Sequence, residues 1–247
     1  NGIVAHEAID FANKKGIEVI VLDHHEKPKK LPKAYAIVHT TKLCASGIAY
    51  FFAREMLKQV QHDTIELAAI ATVTDMMPLV GINRSIVKFG LESLNKTKRV
   101  GLKSIFETAG IEKVGVYEIG FMVGPRLNAS GRIESALTAL RLLCTHNKEK
   151  AKELAQSLNS TNKDRQTMTS EMTLHAKDQT KIDGKIIITI HDSYHQGVIG
   201  LIAGKLVEQY YLPAIVIAKG ETVSKASARS RSPASTMRWT WFRCTEK

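Results

Sequence analysis

KIIITIHDSYHQGVIGLIAGKLVEQYYLPAIVIA, residues 185–218, is the stretch whose reading decides the fold. Lys185–Ile190 is a β-branched apolar run of strand length. Gly197–Gln209 carries apolar residues at helical spacing, and Pro213–Ala218 is a second strand-like run. Strand, helix and strand at this spacing form a βαβ unit of a parallel sheet. Upstream, the chain from Lys148 to about Thr180 is polar and free of Gly and Pro, the pattern of one long exposed helix. Its charges Glu149, Lys150, Lys152, Glu153, Lys163, Asp164 and Arg165 read as a solvated face.

Further upstream, helical patterns cover Ala45–Gln59, Thr64–Thr74, Arg84–Leu94, Leu102–Ala109 and Ile133–Leu143. Ile3–Lys15 is also helical and stops at Gly16, and Glu18–Leu22 (EVIVL) reads as a buried strand. The architecture expected is α/β: two α/β lobes with parallel-type sheets joined by a long helix, with an active-site cleft between them. No internal repeat is evident.

The 247 residues hold 35 Lys+Arg against 24 Asp+Glu, a formal charge of +11, with 44% hydrophobic residues. That proportion of apolar residues excludes a disordered chain. No apolar run approaches the roughly 18 residues a membrane span needs. The excess of positive charge makes a polyanion the first partner to consider, against a merely basic surface. Cys44, Cys144 and Cys244 lie far apart and form neither a CxxC pair nor an even-numbered framework. A disulfide scaffold and a cysteine–zinc site are therefore disfavoured, and a reducing, cytoplasmic setting is expected. The last residues, Arg231–Lys247, lose apolar periodicity and carry both tryptophans, Trp239 and Trp241. They read as disordered or foreign to the fold, with a basic-aromatic strand-binding tail as the alternative.

Five segments carry candidate chemistry. Asp23-His24-His25 closes the EVIVL strand, at the edge where open parallel sheets hold ligands. Alternation along an extended segment puts Asp23 and His25 on one side and His24 on the other. Adjacent imidazole and carboxylate groups suit a divalent ion, although histidines at a strand end serve as often as caps. Asp75 ends the apolar helix AAIATVTD, where an acid opposes the helix dipole and so is either solvent-facing or held for a purpose.

Gly124–Arg132 (GPRLNASGR) reads as a Gly-bounded loop. It presents Arg126, Asn128 and Arg132, and Ser130 caps a helix starting near Ile133. This is either a phosphate cradle or a loop of solvated arginines. His195–Gly200 (HQGVIG) places an exposed His195 at a helix start, with glycines that a ligand or close packing explains equally. Ser227, Arg229 and Ser230 follow Lys225 in a short polar turn able to donate to an anion.

In order and spacing these segments resemble the DHH phosphoesterase superfamily, and within it the RecJ-type single-strand-specific exonucleases. Asp23-His24-His25 is similar to the signature triplet and TVTDMMPL to the later aspartate motif. GPRLNASGR is similar to the RecJ arginine motif, and HQGVIGLIAGKL with KASARS to the DHHA1 lobe. The resemblance runs from Asn1 to about Ser230. It implies four segments: residues 1–97 the C-terminal part of a DHH domain, 98–180 a helical region with the arginine motif and the connecting helix, 181–230 an incomplete DHHA1 domain, and 231–247 an atypical tail. The family's upstream aspartate motifs and its C-terminal OB-like domain have no counterpart in these 247 residues, which implies a fragment.

The resemblance also implies a function: metal-dependent hydrolysis of single-stranded DNA from the 5′ end, in DNA repair and recombination, with two divalent ions, Mn²⁺ or Mg²⁺. His24 and Asp75 would be metal ligands. His25 would meet the scissile phosphate or water, and Asp23 would hold the histidines. Arg126, Asn128 and Arg132 would bind the DNA backbone, and His195, Ser227, Arg229 and Ser230 phosphates on the second lobe. A single-strand-binding protein and a helicase are the implied protein partners, and no membrane. With part of the family's ligand set missing, weak DNA binding and poor hydrolysis are expected. The alternatives are a DHH–DHHA1 phosphoesterase of oligonucleotides or small nucleotides, and a catalytically inactive nucleic-acid-binding module.

Overall fold

Three apolar residues followed by an acid, Ile20–Asp23 (β1), pair in parallel with Ala36–His39 (β2), the register running from Ile20 opposite Ala36 to Asp23 opposite His39. The structure is a computed structural model that describes residues 2–57, 64–179 and 184–230. The segment read as one helix from Ile3 splits into a 3₁₀ turn at Gly2–Val4 and a helix at His6–Lys14 (α1). The split frees the Ile3 amide from helical bonding and lets it point at Asp23.

Helices follow at Ala45–Leu57 (α2), Thr64–Thr74 (α3), Gly81–Leu94 (α4) and Val100–Ala109 (α5). Next come a π-helical turn at Glu118–Val123 and helices at Gly124–Ile133 (α6), Leu137–Cys144 (α7) and Lys148–Gln179 (α8). The expected helix end at Gln59, the residues about Thr180, Cys244 and the tail after Ser230 lie outside the described residues. Cys44 and Cys144 are free thiols.

GPRLNASGR is a helix, not the loop the sequence suggested. α6 continues without a break from the π-helical turn, and Pro125 is its second residue. Ser130 is fully buried within that helix and does not stand at a helix start. The next helix starts at Leu137, not near Ile133, and the side chain at its entry is Ser135, whose Oγ accepts from the Leu137 amide at 3.3 Å.

The chain divides into two compact units, one of Asn1–Leu127 with Leu140–Gln156, the other of Asn128–Ala139 with Ser157–Lys247. In the first, α3 lies against α2, α4 and the π-turn, and Leu94, Leu102, Ile105, Ile119, Val123 and Leu142 are fully buried. Each such side chain stabilises the fold by about 1.5–3 kcal/mol. Within this apolar setting α3 buries one carboxylate, Glu66. It accepts from Ser93 Oγ at 3.0 Å and Thr97 Oγ1 at 2.8 Å, and Arg99 Nε lies 3.6 Å away.

In the second unit Ile187–His191 (β3), Ile199–Tyr210 (α9) and Ala214–Ala218 (β4) form the βαβ unit, with β3 parallel to β4 and Ile187 opposite Ala214. A third strand, Lys225–Arg229 (β5), pairs antiparallel with β4, Ser227 opposite Val216. KASARS is therefore a strand, not a polar turn, and this sheet is mixed. Small and polar side chains hid the strand, because its ladder bonds come from β4 and not from its own apolar run. Ile187, Ala214, Val216 and Ala218 meet Ile199, Ile202, Ala203, Leu206 and Val207 in one core.

Glu66→Ala should lower the unfolding free energy by about 3 kcal/mol, since it leaves Arg99 and two hydroxyls without their shared acceptor. Glu66→Gln should cost less. Urea melts of the three proteins would show whether that order holds.

Candidate functional site

Asp23 ends β1 and is almost completely buried, a position that is unfavourable for a charged carboxylate without partners. It has three. Its Oδ2 accepts from the Ile3 amide at 2.8 Å, and its Oδ1 accepts from the His25 amide at 2.9 Å and faces His25 Nδ1 at 2.7 Å. Burial pushes its pKa up, but the bonds from His25 and Ile3 and the His25 ring outweigh it and hold the carboxyl far below the ordinary range. With Nδ1 bound to the carboxylate, His25 presents Nε2 outward from a half-exposed ring.

His24 reaches toward the end of α3. Its Nε2 lies 3.8 Å from Asp75 Oδ2, with the imidazole side chain 19% and the carboxylate 46% exposed. An imidazole and a carboxylate that are close but not in hydrogen-bond contact, and both open to solvent, are disposed to share a cation. Among the described residues they do not gather with a third His, Cys, Asp or Glu into a cation site. The two histidine rings meet edge to face at 4.5 Å, so His24 is braced by the ring that Asp23 fixes.

A further imidazole stands beside them. His39, at the end of β2, has Nε2 2.6 Å from the His25 carbonyl, where it donates. The sequence reading missed β2 and so missed His39. The short apolar run Ala36–Val38 before His39 was the available signal.

The second unit collects a different set. Arg229, at the end of β5, donates to Ser227 Oγ at 3.1 Å and to the Ala228 carbonyl at 2.9 Å. It rests over the start of α9: a Cβ on Gly200 would lie 3.0 Å from Arg229 Nη2 and 3.1 Å from Ser227 Oγ, so a larger residue there would have to displace these groups. Burial first, and then the positive charge of Arg132, pull the Arg229 guanidinium down to about 10.

Arg132 reaches the Gly197 carbonyl at 3.4 Å. His195 is half-buried, not exposed as expected. Its Nδ1 accepts from the Gly197 amide at 3.1 Å, which leaves the ring proton on Nε2. Ser230 is half-buried just past β5.

Arg165 completes this group and was missed, having been read as part of the solvated face of α8. Its Nη2 donates to Asn162 Oδ1 at 3.0 Å, and burial and then Arg132 lower its pKa. Thr161, Asn162, Thr169 and Thr173 are buried on α8, and this polar but periodic stripe was the signal that one face of the helix is covered. Three guanidiniums in one neighbourhood, at a helix N-terminus, repel one another and favour an anion.

The structure thus brings Asp23, His24, His25 and Asp75 together in the first unit, and Arg132, His195, Ser227 and Arg229 in the second. Arg126, in the first unit, donates to the Met122 carbonyl at 2.8 Å. Asn128 is exposed on α6.

Residues 1–72 match the DHH family, N-terminal domain. The chain is 38% identical over 245 residues to the single-stranded-DNA-specific exonuclease RecJ of Bacillus subtilis, which covers 93% of this chain and 31% of that protein. It is 32% identical to the RecJ of Thermus thermophilus over 95% of this chain and 36% of that one. A crystal structure of Thermus thermophilus RecJ in complex with Mn²⁺ superposes with a TM-score of 0.87 at 32% identity, covering 95% of this chain and 37% of that one. A structure of exonuclease RecJ bound to manganese gives 0.82 at 32%, covering 95% and 62%. The chain therefore spans about a third of the length of these two curated relatives.

Asp23→Asn should destabilise the first unit by about 1–3 kcal/mol at pH 7 with chelator present, since the amide cannot accept from all three donors. The folded-state pKa of Asp23 lies below the unfolded value of about 3.9. Its contribution is therefore complete above that value and is lost as pH falls toward the folded pKa. The gap between the two proteins in urea melts should be full at pH 7 and narrower at pH 3.

Proposed function

We propose, for a chain that belongs to the RecJ-type branch of the DHH superfamily, metal-dependent hydrolysis of the phosphodiester bonds of single-stranded DNA from the 5′ end. The observation that carries this reading is the placement of His24 and Asp75 3.8 Å apart, with His25 locked to a buried Asp23 beside them. Imidazole nitrogen and carboxylate oxygen suit Mn²⁺ or Mg²⁺, and the two residues supply part of a donor set. Two such ions, when bound, would polarise the phosphoryl oxygens and lower the pKa of a bound water.

The chain's own groups do the rest. Asp23 holds His25 by both amide and ring, so Nε2 of His25 is oriented at the scissile phosphate or its attacking water. Because the Asp23 carboxyl stays ionised, it accepts from His25 Nδ1 and fixes the ring with Nε2 turned outward. Arg126 and Asn128 contact the DNA backbone. Arg132, Arg165, Arg229, Ser227, Ser230 and the Nε2–H of His195 hold a phosphate at the start of α9.

In this reading residues 1–97 are the C-terminal part of the DHH domain, 98–180 the helical region and 181–230 the DHHA1-type domain. The work is DNA repair and recombination in the cytoplasm, alongside a single-strand-binding protein and a helicase. Among the described residues no helix is long and apolar enough to cross a membrane.

Mn²⁺ should raise the melting temperature of the chain, and His24→Ala and Asp75→Ala should each abolish most of that rise. A melting temperature indifferent to Mn²⁺ would overturn the metal-site assignment. Binding of a 5′-phosphorylated oligothymidylate in EDTA should weaken about tenfold in Arg132→Ala or Arg229→Ala, and the slope of log K against log salt should drop by about 1. Unchanged slopes would remove these arginines from the phosphate site.

A further inference from the structure

Tyr117 and Phe121 stand one turn apart at the π-helical turn. Their rings are stacked, with centroids 5.0 Å apart and planes inclined by 28°. Both are large apolar surfaces left open: Tyr117 is 64% exposed and Phe121 70%, with Val116 exposed beside them. Such an exposure is unfavourable unless something covers the rings. The π-turn itself is a rare distortion that concentrates at functional sites.

The same turn packs against α3. A Cβ on Gly120 would lie 3.7 Å from Val73 Cγ1, and one on Gly124 would collide with the Thr74 side chain. Gly124 lets the turn pack closely on the last residues of α3, and the residue after Thr74 is Asp75, which faces His24. Arg126 follows in the chain, lying against the same turn through its bond to the Met122 carbonyl. One short segment thus carries two open aromatic faces and a cation, anchored within a residue of the proposed metal ligand.

We propose that Tyr117 and Phe121 form a stacking platform for the bases of the single strand whose backbone enters the His24–Asp75 site. This inference rests on the single-strand reading above and adds to it the part of the substrate gripped. Two rings and a valine are too small for a protein interface, which needs about 800 Å² on each partner. They match the flat face of a nucleobase, which continues the stack already begun by the two rings. Stacking on a base face is indifferent to base identity, as an enzyme that degrades any sequence requires. An adjacent arginine supplies the charge complementarity for the phosphate that accompanies each base.

The test compares a dT dodecamer with an abasic dodecamer of the same backbone, both binding the whole chain in EDTA and followed by fluorescence anisotropy. The wild type should bind the thymidine strand about tenfold more tightly. Phe121→Ala and Tyr117→Ala should lose most of that preference with affinity for the abasic strand unchanged, and Phe121→Trp should keep it. Equal affinity of the wild type for both strands, or variants that weaken both alike, overturns the platform. Failure of the wild type to bind either strand overturns the single-strand reading itself. Melting temperatures of the variants close to wild type would show that the folded chain was compared.

Discussion

One buried carboxylate, that of Asp23, ties three parts of the first unit together. It takes the amide of Ile3 from the entry turn, ends β1, and takes both the amide and the ring of His25. An isolated ionised carboxylate so deeply buried would be strongly unfavourable, and only these donors make it tolerable. The side chain that orients the site is therefore also one the local fold depends on. The 3₁₀ turn at Gly2–Val4, the length of β1 and the rotamer of His25 are all set by the same two oxygens.

The second unit solves an opposite problem. Where the first surrounds one negative charge with donors, the second gathers positive charges. Burial first, and then the charge of Arg132, depresses both Arg165 and Arg229, and Arg229 lies against the positive end of α9. Positive groups gathered in this way favour an anion among them.

The α/β class, the βαβ unit, most helices and the DHH triplet were legible because each rests on local signals: apolar period, Gly stops and residue type. α3 was readable to the residue. β2 and β5 were not, since neither carries a long β-branched run and each exists only by pairing with a neighbour. GPRLNASGR misled for a related reason. Its glycines look like loop punctuation, yet Gly124 is there because Thr74 occupies the space of a Cβ. Arg165 and His39 were invisible as site residues because their partners are remote in sequence or belong to an unread strand.

By itself the sequence determined which groups are present at the site and in which order. Residue type and short-range periodicity place Asp23, His24 and His25 at a strand end, Asp75 at a helix end and arginines near glycines. Tertiary structure alone decided which of them act together. His24 meets Asp75 across fifty residues of chain, and Arg132 meets Gly197. The physical reason is that hydrogen bonding, charge repulsion and ring stacking act over a few ångströms of space, and sequence spacing sets such distances only within a single helix or strand.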